Sequence, residues 1–280
     1  MSDAIIDASL RRSPVIDDVV LMLRETAVDL VLPRFGRLAA ADVAEKNPGD
    51  LVTVVDTDVE AILRRRLTGL LAGSVTVGEE EAAADPGLLD RLSGERPVWL
   101  IDPIDGTGNF AAGRQPFAMM VTLVHSGRIR LSVMYEPVPG TVAAAEAGSG
   151  AYLDGVRAVM ETTPVTDSAQ LRGALAVTYL PDRLKQQVLA RAELLGEAMP
   201  PQFCAGREYP NLARGVQHFT LFWRSIAWDH APGTLFVREA GGVVRHFDGT
   251  DYDPVRPKPG LLACRDEHVF DLARQALNLQ

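Results

Sequence analysis

Three short β-prone runs near the start of the chain end in carboxylates, and this pattern constrains the fold more than any other feature. VTVVDTD places Asp56 and Asp58 just past a strand at 51–55. VTVGEEE places Glu79, Glu80 and Glu81 past a strand at 74–78. WLIDPIDG places Asp102 and Asp105 past a strand at 97–101. In open sheets, sites form at strand ends. Carboxylates gathered there repel one another unless protons or a cation intervene. Taken singly, Asp56 and Glu79 fit ordinary turn roles, Asp58 fits the N-cap of a following helix, and Glu81 fits the surface.

The surrounding pattern is mixed. Val19, Val20, Leu23, Ala27, Leu30 and Val31 predict an amphipathic helix over 15–35, ended by Pro33. Val59, Ile62, Leu63, Leu67, Leu70 and Leu71 predict a second over 59–71, with Arg64, Arg65 and Arg66 facing water. From 117 to 153, β-prone runs separated by HSGR, PVPG and GSG predict an antiparallel meander. A strand at 174–180, a helix at 182–198 and a glycine-closed helix at 234–242 follow. Strands followed by helices in both halves predict a layered α+β architecture.

Net charge is -9, which argues against a broad nucleic-acid-binding surface. An acidic chain that binds an anion needs a local device such as a metal ion or a helix N-terminus. Cys204 and Cys264 are the only cysteines, too few for a disulfide framework or a thiolate zinc site. Oxygen ligands without thiolate favour magnesium, manganese or calcium. No apolar run approaches the length of a membrane span, and MSDAIIDASLRRSPVIDD lacks a leader pattern, so a cytoplasmic location is expected.

WLIDPIDGTGNF is more constrained than a turn requires. Pro103 stiffens the link between two aspartates, Gly106 permits a sharp departure or a close approach, and Thr107 adds a hydroxyl. In WDHAPGTLFVREAGG, Asp229 stands at the start of a helix, where it could cap the helix or face a phosphate.

With these segments in view, the chain resembles the inositol monophosphatase family of metal-dependent, lithium-sensitive phosphatases. DPIDGTGNF is similar to the family's first signature and WDHAPGTLFVREAGG to its second. Gly78-Glu79-Glu80 and DLVTVVDTDVE (50–60) are similar in type and order. The resemblance implies a layered α/β/α/β/α sandwich of two lobes, 1–155 and 156–280, with the site between them, and a homodimer. It implies that Glu79, Asp102, the Ile104 carbonyl and Thr107 surround a first metal and its water. Asp102, Asp105 and Asp229 would hold a second metal. Asp56 would assist the water or a third metal, and Lys46 would sit on a mobile loop over the site. The Gly106 and Thr107 backbone would donate to phosphate. Two or three Mg2+ ions are implied, with Mn2+ possible and Li+ inhibitory. The implied reaction is hydrolysis of a small sugar or polyol phosphate, inositol-1-phosphate above all, by metal-activated water.

The chain departs from that pattern at Gly108, Pro232 and Phe222; Phe222 stands where sugar-binding relatives carry a glutamate. Glu208 is expected to face substrate in compensation, and Arg207 is a candidate for a second anionic group. Histidinol phosphate, fructose-1,6-bisphosphate and 3′-phosphoadenosine 5′-phosphate are alternative substrates. A non-catalytic divalent-metal-binding protein is the alternative of another class.

Overall fold

The computed structural model describes residues 14–47 and 49–279. MSDAIIDASLRRSPVIDD, with its lack of a leader pattern, therefore lies mostly outside the described residues, as does Pro48 of the turn after Lys46. Helix α1 (Pro14–Thr26) continues through a wider turn to Val31, as its apolar spacing predicts. A two-stranded hairpin follows, β1 (Val43–Asn47) and β2 (Asp50–Thr53), and then helix α2 (Val54–Leu70).

The predicted strand 51–55 is thus cut short. Thr53 accepts from the Val55 N–H, and the Asp56 carboxylate accepts from the Thr53 N–H at 2.9 Å, forming a capping box. Two satisfied helix-end donors outweigh the β preference of the two valines. Asp56 is therefore the third residue of a helix. Asp58 is no cap; it is exposed within α2 and pairs with Arg34 at 3.1 Å.

Among the described residues, seven strands form one sheet in chain order: β3 (Val75–Gly78), β4 (Val98–Asp105), β5 (Ala118–His125), β6 (Arg128–Glu136), β7 (Thr141–Glu146), β8 (Gly150–Leu153) and β9 (Val156–Ala158). Only β3 and β4 pair in parallel; β5 to β8 are the predicted meander, and β4 and β9 extend it by one antiparallel strand at each end. Short helices α3 (Glu79–Ala84) and α4 (Thr107–Ala111) leave the ends of β3 and β4. A second, five-stranded sheet comprises β10 (Arg172–Leu175), β11 (Glu197–Met199), β12 (Phe219–Phe222), β13 (Val243–His246) and β14 (Leu261–Cys264). The predicted strand 174–180 is displaced toward 172. The predicted helix 182–198 divides into α5 (Asp182–Arg191), a tight turn to Leu194, and β11.

Helices α6 (Ala205–Ala213) and α7 (Ala227–Glu239) lie between the two sheets, and α8 (Glu267–Leu277) packs with α5 outside the second. Strand β4 shows how the layers are specified. Val98 and Leu100 pack with Tyr209, Leu212 and Phe236 of α6 and α7. Trp99 and Ile101 pack with Val55, Val59 and Leu63 of α2. Both faces are buried, so alternation assigns each residue to one core rather than to core or water. The third core joins α5 and α8 to the second sheet. The layers run helix, sheet, helix, sheet, helix, as the resemblance implies. Among the described residues, no helix is long and apolar enough to cross a membrane.

Candidate active site

The two aspartates of β4 point toward the same cleft because the strand is irregular between them. In a regular strand, residues three apart face opposite ways. Here the pairing with β5 shifts register between Asp102 and Asp105. Ile104, which alternation would place with Leu100, lies instead in the α1–α2 core. Pro103 sits within this bulge, where a missing N–H is tolerated. Asp102 and Asp105 are therefore inside the strand, not past it as predicted, and the bulge aims both at α6 and α7.

Each carboxylate has a distinct setting. Asp105 accepts from the Gly206 N–H at 2.6 Å and from the Cys204 thiol. Asp102 is buried, and its Oδ1 has no hydrogen-bond partner. Asp229 stands in the first turn of α7, where Ile226 is the N-cap. Asp56 keeps one oxygen on Thr53 and turns Oδ1 toward Thr107, whose hydroxyl lies 3.2 Å away. The Thr107 hydroxyl also lies 2.8 Å from the Ile104 carbonyl. It carries one hydrogen, so it can donate to only one of them at a time.

Lys46 is on β1 rather than on a loop. Its ammonium contacts Glu79 at 2.8 Å and Glu80 at 3.0 Å. Gly106 has φ +84, and a Cβ there would meet the Phe203 carbonyl at 3.0 Å, so the predicted need for glycine is real. Glu208 lines the cleft, but its oxygens are occupied by the Gln202 N–H at 2.7 Å and Gln217 Nε2 at 2.9 Å. Arg207 is paired with Glu136, away from the anion-binding role considered for it. Pro232 lies beyond the first turn of α7, yet the helix runs through it. Glu81 is half-buried and pairs with Arg64 at 2.9 Å.

The sequence did not single out Glu60. It is buried in α2 and accepts from the Glu80 N–H at 2.7 Å and the Glu81 N–H at 3.0 Å, fixing the first turn of α3. A Cβ at Gly78 would lie 2.1 Å from the Glu60 carboxyl carbon, so that glycine makes room for the clamp. Only the close approach at glycine signals the pairing, and a sequence does not display it. Glu60→Ala is expected to lose roughly 3 kcal/mol of stability, and Glu60→Gln, which keeps one acceptor, about half as much. Chemical denaturation of both variants checks this.

The electrostatics follow from crowding. Burial pushes the Asp56 and Asp105 carboxyls up to about 6, and Glu80 to about 7. Burial, with Glu79, Asp105 and Asp229 close by, raises Asp102 well above the usual range. Burial, Glu79 and Asp105 do the same to Asp229. Burial works against the charge on Lys46, but Glu79 and Glu80 outweigh it and hold the ammonium protonated.

A raised carboxyl means the folded chain holds more protons than the unfolded chain above the ordinary carboxylate range near about 4. Stability is then greatest below that range and declines as pH rises through the values of about 6 and 7. Without divalent ions, Tm is expected to fall across this window, and magnesium is expected to restore it above the window. A thermal series with and without the ion measures both.

Among the described residues, no three acidic, histidine or cysteine side chains stand together as a ready-made metal cage. Glu79 turns to Lys46, and Asp105 to Gly206. The unpaired, buried Asp102 Oδ1 within an all-oxygen, like-charged cluster nevertheless fits a hard divalent cation.

Known proteins match this chain over most of its length. The model of the inositol monophosphatase family matches residues 14–278. A fructose-1,6-bisphosphatase/inositol-1-monophosphatase of Thermotoga maritima is 28% identical over 238 residues, which is 84% of this chain and 86% of that protein. A protein of Pseudomonas aeruginosa named Nus factor SuhB is 30% identical over 243 residues, 83% and 86% of the two chains. The solved structure of the extragenic suppressor protein suhB of Bartonella henselae superposes with a TM-score of 0.81 at 26% identity, covering 95% and 98% of the two chains. The chain belongs to the inositol monophosphatase family.

Proposed function

We propose that the protein is a magnesium-dependent phosphomonoesterase that releases inorganic phosphate from small alcohol phosphates, inositol-1-phosphate among them. The observation that carries this is the buried, unpartnered Oδ1 of Asp102 among like charges, beside a hydroxyl and carboxylate pair. Such a cluster is costly for a fold to keep unless a cation compensates it. Glu79, Asp102, the Ile104 carbonyl, Asp105 and Asp229 would hold the ions. When bound, a divalent ion lowers the pKa of water and offsets the charge that develops on phosphate and on the departing oxygen.

The rest is work for the chain's own groups. Asp56 Oδ1 can hold a proton within reach of Thr107, whose hydroxyl is oriented by the Ile104 carbonyl. Lys46 balances Glu79 and Glu80 and keeps a cation at the cleft mouth for an anionic substrate. The Gly106–Thr107 backbone turns into the cleft at a left-handed residue, which suits close approach of a phosphate. No side-chain nucleophile is needed.

A panel of inositol-1-phosphate, fructose-1,6-bisphosphate, histidinol phosphate and 3′-phosphoadenosine 5′-phosphate, assayed for phosphate release with magnesium, tests the proposal. Turnover of at least one ester supports it. Relatives named as Nus factors keep a second possibility in view, a metal-binding protein without catalysis. Magnesium binding with no release from any ester would favour that second account.

A further inference from the structure

A second hollow lies away from the acidic cleft, at the other end of α7. Asp229 occupies the first turn of that helix and Arg238 its last, so about 14 Å of helix separates them. The hollow is open and encloses about 720 Å³ between the end of α7, the segment 162–166 and the start of α8. No residue that lines the acidic cleft lines it as well.

Donors of two kinds meet there. Arg265 lines the hollow, yet only 3% of it is exposed. Its Nε donates to Asp266 at 3.1 Å and its Nη2 to the Thr163 carbonyl. Its Nη1 is buried and has no acceptor among the described residues. Buried polar groups are nearly always paired, so an orphan guanidinium nitrogen points to an acceptor from outside the chain. Glu267 and His268 are the first two residues of α8. Helix geometry gives their N–H groups no partner within the helix, and the helix dipole adds positive potential. The N-cap, Asp266, accepts from the next N–H, that of Val269, at 2.7 Å.

The acidic groups around the hollow are already engaged. Asp266 is held by Arg265 and Val269. Glu267 accepts from Nη1 and Nη2 of Arg245, both at 2.6 Å. Asp251 lies between Arg245 at 3.4 Å and Arg238 at 3.7 Å. Gly241 and Gly242 donate to the Arg238 and Val237 carbonyls at 3.0 and 2.8 Å, which caps the negative end of α7. His268 is exposed beside the donors.

We infer that this hollow binds a phosphate dianion, free or as the end group of a small ester, at a site separate from the acidic cleft and independent of metal. Arg265 Nη1 and the first-turn N–H groups of α8 donate to its oxygens, with Arg238 and His268 at the rim. A guanidinium and a helix N-terminus are both matched to phosphate. The open side leaves room for an alcohol attached to the phosphate to project into water. Binding here neither requires nor follows from phosphatase activity.

Calorimetric titration of inorganic phosphate into the full chain tests this, with the protein stripped of metal and then freed of chelator. Without a cation, the crowded carboxylates of the cleft repel phosphate. One saturable site is expected in the wild type. His268→Glu is expected to weaken it by about tenfold or more, because it sets a carboxylate beside the anion. That variant is expected to melt no lower than the wild type, since an acid suits the first turn of a helix. Arg265→Lys keeps the charge but loses the guanidinium fork, and is expected to weaken binding as well. Lys46→Ala removes a cation from the cleft and is expected to leave binding unchanged. Glycerol 2-phosphate is the second probe. Affinity equal to that of inorganic phosphate supports an ester as occupant, and failure to bind supports the free ion. Wild-type protein with no saturable phosphate binding would overturn the site. Binding that survives His268→Glu undiminished would overturn it too, as would binding lost in Lys46→Ala, which would place the phosphate in the cleft.

Discussion

Asp102→Asn is expected to reduce phosphate release by about a thousandfold, close to 4 kcal/mol of lost transition-state stabilisation, while leaving the fold intact. The isosteric amide keeps the shape of the side chain and removes its charge. Asp102 is buried, its Oδ1 lacks a donor, and Glu79, Asp105 and Asp229 all crowd it. In the absence of divalent ions those neighbours repel the wild-type carboxylate. The variant's metal-free Tm is therefore expected to equal or exceed that of the wild type above the ordinary carboxylate range. Magnesium should raise the Tm of the wild type and have little effect on the variant. A variant that lost activity together with metal-free stability would mean Asp102 serves the fold rather than the ion. Steady-state kinetics and paired melting curves separate the two.

Gly233→Ala is expected to destabilise the protein by about 3 kcal/mol, the upper end of overpacking costs, and to lower Tm by roughly 10 °C. Its Cβ would lie 2.0 Å from Tyr209 Cδ2 and 2.1 Å from Cγ. Tyr209 cannot yield easily. It is fully buried, stacks on Phe222, and shares a 2.9 Å hydrogen bond with His230. The glycine thus lets α6 and α7 approach closely between the sheets, and α7 carries Asp229. Differential scanning calorimetry reads the loss. An unchanged Tm would show that the two helices have slack, and that this part of WDHAPGTLFVREAGG is not held by packing.

Much of this was legible because residue type and order carry it. The acids at the ends of β-prone runs, the meander from 117 and the glycine-closed helix before 242 all follow from local pattern, and family resemblance supplied the layered arrangement. What escaped depends on contacts across the chain. The bulge that turns Asp102 and Asp105 to one side is set by pairing with β5, which periodicity within β4 cannot reveal. Burial of β4 on both faces further hides its alternation. The start of α2 was available in principle. Thr53 and Asp56 have capping-box spacing, but the β-branched residues between them point the other way. A sequence does not display the partners of Glu60, Glu208 and Arg207, and it points the last two toward substrate. Only the fold shows that the first clamps α3, the second is spent on Gln202 and Gln217, and the third is paired with Glu136.

The most direct test of the acidic cleft as a phosphomonoesterase site is phosphate release measured against magnesium concentration, using protein stripped with a chelator and the best ester of the panel. The cluster of Glu79, Asp102, Asp105 and Asp229 predicts no measurable release without the ion and saturable recovery as magnesium is returned. Undiminished release from the stripped protein, or saturable magnesium binding with no release from any ester, would contradict it.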